Sequence, residues 1–212
     1  MTLSLALLLI AIFSALLMGR LQRLPVRGAV PWLSFSIVVA LALAGVAQWL
    51  WPGLLPRFER NAGAIFAGDY YRLLTALWFQ DGGLVGGGFN LALLFALGPI
   101  AERLWDRRSW LLIYFGAGLT TEIIALWWQP IGAGNSIAWM GLAGSVLVAS
   151  WAGVRRLPVM TLGAIGLAAG AGLALLHDIH GAALLTGAAI GLALIRSGHG
   201  VRARPEPPAP LA

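Results

Sequence analysis

The chain has 212 residues, of which 59% are hydrophobic and only 10% charged, and its mean hydropathy is +0.85; soluble domains carry roughly 25% charged residues, so a water-soluble globule is excluded. The net charge of +6 comes from arginine alone among the basic residues, with no lysine, and the positions of those arginines point to a bilayer rather than to nucleic acid. There is no cysteine, which excludes disulfides and thiolate chemistry.

A helix needs about 20 apolar residues to cross roughly 30 Å of hydrocarbon. Seven segments meet that need, at 3–19, 31–50, 83–101, 109–128, 136–152, 158–176 and 179–195. No positive charge precedes the first, and Arg20, Arg23 and Arg27 follow it. That polarity describes an anchor with its N-terminus outside rather than a signal peptide. Seven spans place Arg20, Arg23, Arg27, Arg103, Arg107, Arg108, Arg155, Arg156, Arg196, Arg202 and Arg204 on one side, and only Arg57, Arg60 and Arg72 on the other. By the positive-inside rule the first group is cytoplasmic. Trp32, Trp49, Trp51, Trp105, Trp110, Trp127 and Trp128 sit near proposed helix ends, where interfacial aromatics belong.

The longest stretch outside the spans, 51–82, is rich in aromatic and aliphatic residues and is expected to lie partly in the interface. The tail after Arg204 holds four prolines and is expected to be disordered.

Polar groups are costly in hydrocarbon, so the few within the spans are informative. They are Asn90 in the third span, Glu122 in the fourth, Ser136 opening the fifth and His180 opening the last. Glu122 has no basic neighbour in sequence, and a protonated state or a bond to Thr120, Thr121 or the backbone is expected. Ser136 and His180 begin two inward-running helices joined through one hairpin, which sets them at similar depth, and Asn90 lies about two turns into a third inward-running span. All three can converge. A serine beside a histidine is a usable nucleophile–base pair, and Asn90 or backbone N–H groups at the start of the serine helix are candidates to hold an oxyanion. A serine at a helix start also commonly serves as an N-cap, and an interfacial histidine as a packing residue; from these residues alone both readings stand.

The segment Gly134-Asn135-Ser136-Ile137-Ala138-Trp139-Met140-Gly141-Leu142 resembles the nucleophile helix of the rhomboid family of intramembrane serine proteases, with its Gly-x-Ser-Gly and later Gly-Leu. Asn90, Gly98, Glu102 and Tyr114 fall where that family has an Asn, a Gly, a cytoplasmic-side Glu and a Tyr. Asp178-Ile179-His180 with Gly187 and Gly191 resembles its last core helix, which carries the catalytic histidine, and Tyr71-Arg72 with Thr75 resembles its interfacial first loop. The likeness runs in order over roughly residues 66–195. Departures accompany it. Gly86 stands where the family has an oxyanion histidine, Gln80 replaces an earlier loop histidine, Ile137 replaces the glycine after the nucleophile, and Met140 an aromatic residue.

The resemblance implies an all-α, polytopic, rhomboid-like fold: an extra N-terminal helix with its basic link (1–30), a six-helix core (31–196) and a cytoplasmic tail (197–212). It implies a serine endopeptidase of an inner membrane, cutting in or near transmembrane segments of protein substrates, with Ser136 as nucleophile, His180 as base and Asn90 at the oxyanion. No metal, cofactor or nucleic acid is called for. The alternative is an inactive rhomboid-like protein that binds transmembrane clients, for which Gly86 and Ile137 are the argument. Close approach of the last helix to the serine helix is expected through Gly187 and Gly191 facing Gly141, Ala143 and Gly144.

Overall fold

The computed structural model describes residues 2–21, 30–153 and 157–199, and each long apolar segment within them is helical. The expected link 22–29, the Arg155–Arg156 turn and the tail beyond residue 199 lie outside the described residues. In chain order the elements are α1 (Leu3–Leu21), α2 (Trp32–Leu50), α3 (Leu54–Phe58), β1 (Arg60–Asn61), α4 (Ala62–Phe66), α5 (Arg72–Thr75), α6 (Gly83–Leu104), α7 (Arg107–Trp128), β2 (Ile131–Gly132), α8 (Ser136–Gly153), α9 (Leu157–Leu175) and α10 (Ile179–Arg196). Helices α1, α2, α6, α7, α9 and α10 are long and apolar enough to cross a membrane. The seventh expected span is α8, 18 residues long. The protein is thus an all-α, multi-pass membrane protein, the arrangement in which every backbone group of a spanning segment is satisfied internally. Its helix ends differ from the hydropathy limits by three residues at most, the largest change being α6, which runs on to Leu104.

Helix α8 is the axis of the bundle. Ile137, Trp139, Met140, Leu142, Val146 and Leu147 are all buried, because α10, α7, α6, α1 and α9 each pack against it. The closest of these contacts is backbone to backbone. A Cβ on Gly187 would run into the carbonyl oxygen of Gly141, and one on Gly144 into that of Leu184. A Cβ on Gly191 would stand 3.2 Å from the Cα of Ser145. Apolar burial offers a helix little advantage over lipid, so small residues that permit close van der Waals packing decide which helices pair. The expected glycine contact between the serine helix α8 and the last helix α10 is therefore present.

Helix α2 lies against α6, where Ser34 approaches Gly98. Pro31 at the N-cap of α2 supplies no side-chain cap. Glu102, from the far end of α6, does so instead, accepting from the Ser34 hydroxyl at 2.7 Å, the Ser34 N–H at 2.8 Å and the Leu33 N–H at 3.3 Å. The free N–H groups of the α2 terminus thus receive a carboxylate.

The 51–82 segment folds as three short helices and one edge of a two-residue antiparallel pair, in which Arg60 faces Gly132 and Asn61 faces Ile131. Arg72 binds the carbonyls of Pro56 and Glu59 and the carboxylate of Asp69, while the Thr75 hydroxyl donates to Phe58 O at 2.8 Å. Phe58 stacks on Phe79 with centroids 5.2 Å apart. Phe66, Tyr70 and Tyr71 stay exposed, as an interfacial segment requires. Trp32, Trp49, Trp51 and Trp127 are likewise exposed, but Trp105 and Trp110 are not an interfacial pair. They turn into the bundle because each indole N–H finds a partner there, Ser145 Oγ at 3.0 Å and Gly98 O at 3.1 Å respectively.

Candidate active site

Parts of α6, α8 and α10 border one cavity, with Asn90, Ser136 and His180 in its lining. The last of these is set by the hairpin between α9 and α10. His177 adopts φ 55° there, and the N–H groups of Asp178 and His177 close on the carbonyls of Leu173 and Ala174, a Schellman closure that ends α9 cleanly. Asp178 then caps α10, its Oδ1 accepting from the His180 N–H at 3.0 Å. The same oxygen lies 2.7 Å from His180 Nδ1. A carboxylate only accepts, so Nδ1 carries the proton and the lone pair of Nε2 faces the other way. Burial raises the Asp178 pKa, but the hydrogen bonds and charge of His180 outweigh that and leave it below the ordinary carboxylate value.

What Nε2 faces is Ser136, with Oγ at 3.1 Å. Ser136 is the first residue of α8, and its hydroxyl caps no backbone group among the described residues. Asn135 stands before it, its carbonyl accepting from Ala138 and Trp139. The capping role open to Ser136 in the sequence is therefore not the one observed. The described structure brings Ser136 and His180 together across α8 and α10 through the glycine contact described above.

Asn90 borders the same cavity. Its Nδ2 donates to Gln80 Oε1 at 2.9 Å, and Gln80 Nε2 donates to Asn135 Oδ1 at 2.8 Å. Gln80 is fixed in turn by Gln48, whose side chain binds both the Gln80 carbonyl and its N–H, at 2.7 and 2.9 Å. One hydrogen of Asn90 is thus committed to Gln80, and among the described residues the other has no protein partner. Gly86 lines that cavity with empty space where a side chain would begin, and Ile137 lines it beside the serine while almost fully buried.

The cavity measures about 290 Å³ and is bounded by Leu8, Arg60, Asp81, Asn90, Glu122, Gly134, Ser136, Trp139 and His180 among others. A larger hollow of about 530 Å³ opens between α2 and α6, lined by Leu41, Gly45, Gln48, Gly83, Gly87 and Leu91 among others. It contains neither Ser136 nor His180, so the chemistry belongs to the smaller space.

Glu122 has a basic partner after all, one 62 residues away in sequence. Arg60 reaches from the outer segment, Nη1 to Glu122 Oε2 at 2.7 Å and Nε to Gln129 O at 2.8 Å, with both side chains buried. The other carboxylate oxygen of Glu122 and the indole N–H of Trp139 are buried without a partner among the described residues. Sequence reading missed this pair because Arg60 belongs to a different turn of the chain. It also passed over Asp178 as a site residue, although a carboxylate two positions before a helix-opening histidine is the available signal for a cap that also binds the ring.

Fold and site together define a class: a multi-pass helical membrane protein with a serine, a histidine and an aspartate in one hydrogen-bonded line at one end of the bundle. Over 100 residues, 47% of the chain, it is 32% identical to the rhomboid protease GluP of Bacillus subtilis (strain 168). The matched part makes up 19% of that protein, so the chain corresponds to less than a fifth of its relative's length. No model of a known protein family matches the chain.

Proposed function

We propose that the protein is an intramembrane serine protease of the rhomboid type, cutting a peptide bond in or near the transmembrane segment of a membrane-protein substrate. The observation that carries this reading is the line Asp178 Oδ1, His180 Nδ1, His180 Nε2, Ser136 Oγ, with spacings of 2.7 and 3.1 Å, at a cavity lined by Ser136 and His180. Ser136 Oγ attacks the carbonyl carbon, and its proton passes to His180 Nε2. The oxyanion is met by the free Asn90 hydrogen and by the unpaired N–H groups at the start of α8, which also carry the positive end of the helix dipole. Collapse expels the amine, which takes the proton from His180. Water then attacks the acyl carbon as it gives a proton to His180, and collapse releases the new carboxylic acid while Ser136 Oγ takes that proton back from His180. Asp178 holds the imidazole in the tautomer this sequence of steps needs; it touches no reacting atom and is a positioning residue.

The alternative of an inactive client-binding protein draws on Gly86 and Ile137. The intact Ser136–His180 contact speaks against it, since a chain without catalysis has no need to keep that hydroxyl off the backbone and on the ring. In the same reading the arginine count places the N-terminus outside an inner membrane and the C-terminus in the cytoplasm, with 31–196 as the rhomboid-like core. The test is cleavage of a transmembrane reporter by purified protein in liposomes. Two fragments are expected with wild type and none with Ser136→Ala; equal cleavage by both, or none by a folded wild type, overturns the proposal.

A further inference from the structure

Asn90 meets the oxyanion through a side-chain amide, and an amide has two unlike ends. Its last torsion is broad and roughly two-fold, so an unconstrained asparagine turns either its nitrogen or its oxygen to the cavity. The nitrogen end donates to a developing negative charge, and the oxygen end repels it. A neighbour has to select between them. Gly86, one turn earlier on α6, brings no side chain to the cavity wall that both residues share.

The selection falls to Gln80. Its Nε2 is given to Asn135 Oδ1 at 2.8 Å, and its Oε1 takes Asn90 Nδ2 at 2.9 Å. With its nitrogen engaged, Gln80 turns an oxygen to Asn90, and an oxygen binds only the nitrogen end of that amide. The amide is planar, so fixing one hydrogen fixes the direction of the other. Gln80 is itself held from α2, where the Gln48 side chain accepts from its N–H at 2.9 Å and donates to its carbonyl at 2.7 Å. Gln80 is buried and stands behind Asn90 and Gly134, which line the cavity. The place of a Cβ on Gly134 is 3.4 Å from Ser136 Oγ, 3.5 Å from Gln80 Oε1 and 3.9 Å from Asn90 Nδ2. The three groups thus surround one point beside the serine.

We propose that Gln80 is a positioning residue of the oxyanion site, its amide setting which end of Asn90 meets the oxyanion and Gln48 holding it in place to do so. The inference rests on the protease reading. Gln80 acts through Asn90 and not on the substrate, so its loss removes stabilisation of the transition state and lowers kcat without raising KM.

The test follows kcat and KM for cleavage of a transmembrane reporter in liposomes. Loss of one oxyanion donor costs roughly 10²–10³-fold in rate; Gln80→Leu is expected to lower kcat by at least about ten-fold and no further than Asn90→Ala does, with KM within about two-fold. Added to Asn90→Ala, it is expected to cost less than about two-fold more, because both changes act on one donor. An unchanged kcat in Gln80→Leu, or losses that multiply in the double variant, overturns the inference and leaves the protease reading standing. Gln80→Glu supplies a readout that packing alone does not move, and serves where the leucine variant does not fold. The ionised carboxylate cannot donate to Asn135 and sets a negative charge beside the oxyanion, whereas the protonated acid presents the same acceptor and donor as the amide. The charged groups of the cavity wall, Arg60, Asp81, Glu122 and His180, are common to variant and wild type. The ratio of the variant's kcat to that of wild type is therefore expected to rise at least about ten-fold as pH falls from about 8 to about 5, in protein shown by circular dichroism to be folded at each pH. A flat or falling ratio overturns the inference. A folded wild type that cleaves nothing overturns the protease reading and this inference with it.

Discussion

Asp178 serves two partners with one oxygen. It caps α10 through the His180 N–H and orients the His180 ring through Nδ1, so the helix start and the base are built from the same contact. Asparagine caps as well as aspartate, yet its side-chain oxygen has no charge to stabilise an imidazolium. Asp178→Asn is therefore expected to keep the fold with a modestly lowered melting temperature at neutral pH, while kcat falls at least ten-fold and toward the roughly 10⁴-fold loss that such a change causes in a serine triad, with KM little altered. The carboxyl titrates below its ordinary value in the folded protein. Its contribution to stability is thus present above the unfolded-state pKa and is lost as pH falls through the folded-state one. Acid unfolding followed by circular dichroism should accordingly be shallower on its acid limb in Asp178→Asn. At this scale the sequence was informative where chemistry is local. Ser136, His180 and Asn90 stand out because polar groups are rare in these spans, whereas the role of Asp178 depends on a ring orientation that no spacing displays. The Gln80 bridge between Asn90 and Asn135 is hidden for the same reason, as it joins three separate parts of the chain.

Between elements, the decisive surface is the bare strip where α10 meets α8. Gly187 leaves no room for a methyl group against the Gly141 carbonyl, so Gly187→Ala must move one helix, and overpacking of this kind costs about 1–3 kcal/mol. The movement falls on the two helices that carry Ser136 and His180. Gly45 of α2 is the matched control, since a Cβ there meets nothing within 4 Å and alanine is the better helix former by about 1 kcal/mol. Thermal unfolding in detergent is expected to show a lowered melting point with lost reporter cleavage for Gly187→Ala, and an unchanged or raised one with full cleavage for Gly45→Ala. This contact was legible in the sequence because seven- and eleven-residue spacings from His180 return to one helical face. The capping of α2 by Glu102 was not, because the carboxylate acts across 68 residues on the N–H of Ser34. Nor was the inward turn of Trp105 and Trp110, since hydropathy places a tryptophan near a helix end without saying which way it faces.

Across the whole molecule, Arg60 fastens the interfacial segment to the bundle by a buried pair with Glu122. Removing one member of such a pair strands a charge and costs about 3–5 kcal/mol, while replacing both by apolar residues of similar volume is often neutral. Arg60→Met and Glu122→Leu are each expected to unfold the protein at markedly lower temperature, and the double variant to recover most of the loss; a double variant as unstable as the sum of the two would contradict the pairing. Hydropathy made the seven helices readable in advance, because the bilayer imposes length and apolarity on each span separately. The position of α1 was not readable, because a helix that is apolar all round carries no mark of which neighbours it meets. The central claim is that Ser136 is a nucleophile activated by His180. Labelling by an active-site-directed fluorophosphonate, with the modified peptide found by mass spectrometry, tests it most directly. The account predicts adduct on Ser136 in the wild type and none in Ser136→Ala or His180→Ala; a folded wild type that takes no label, or labelling that persists in His180→Ala, would contradict it.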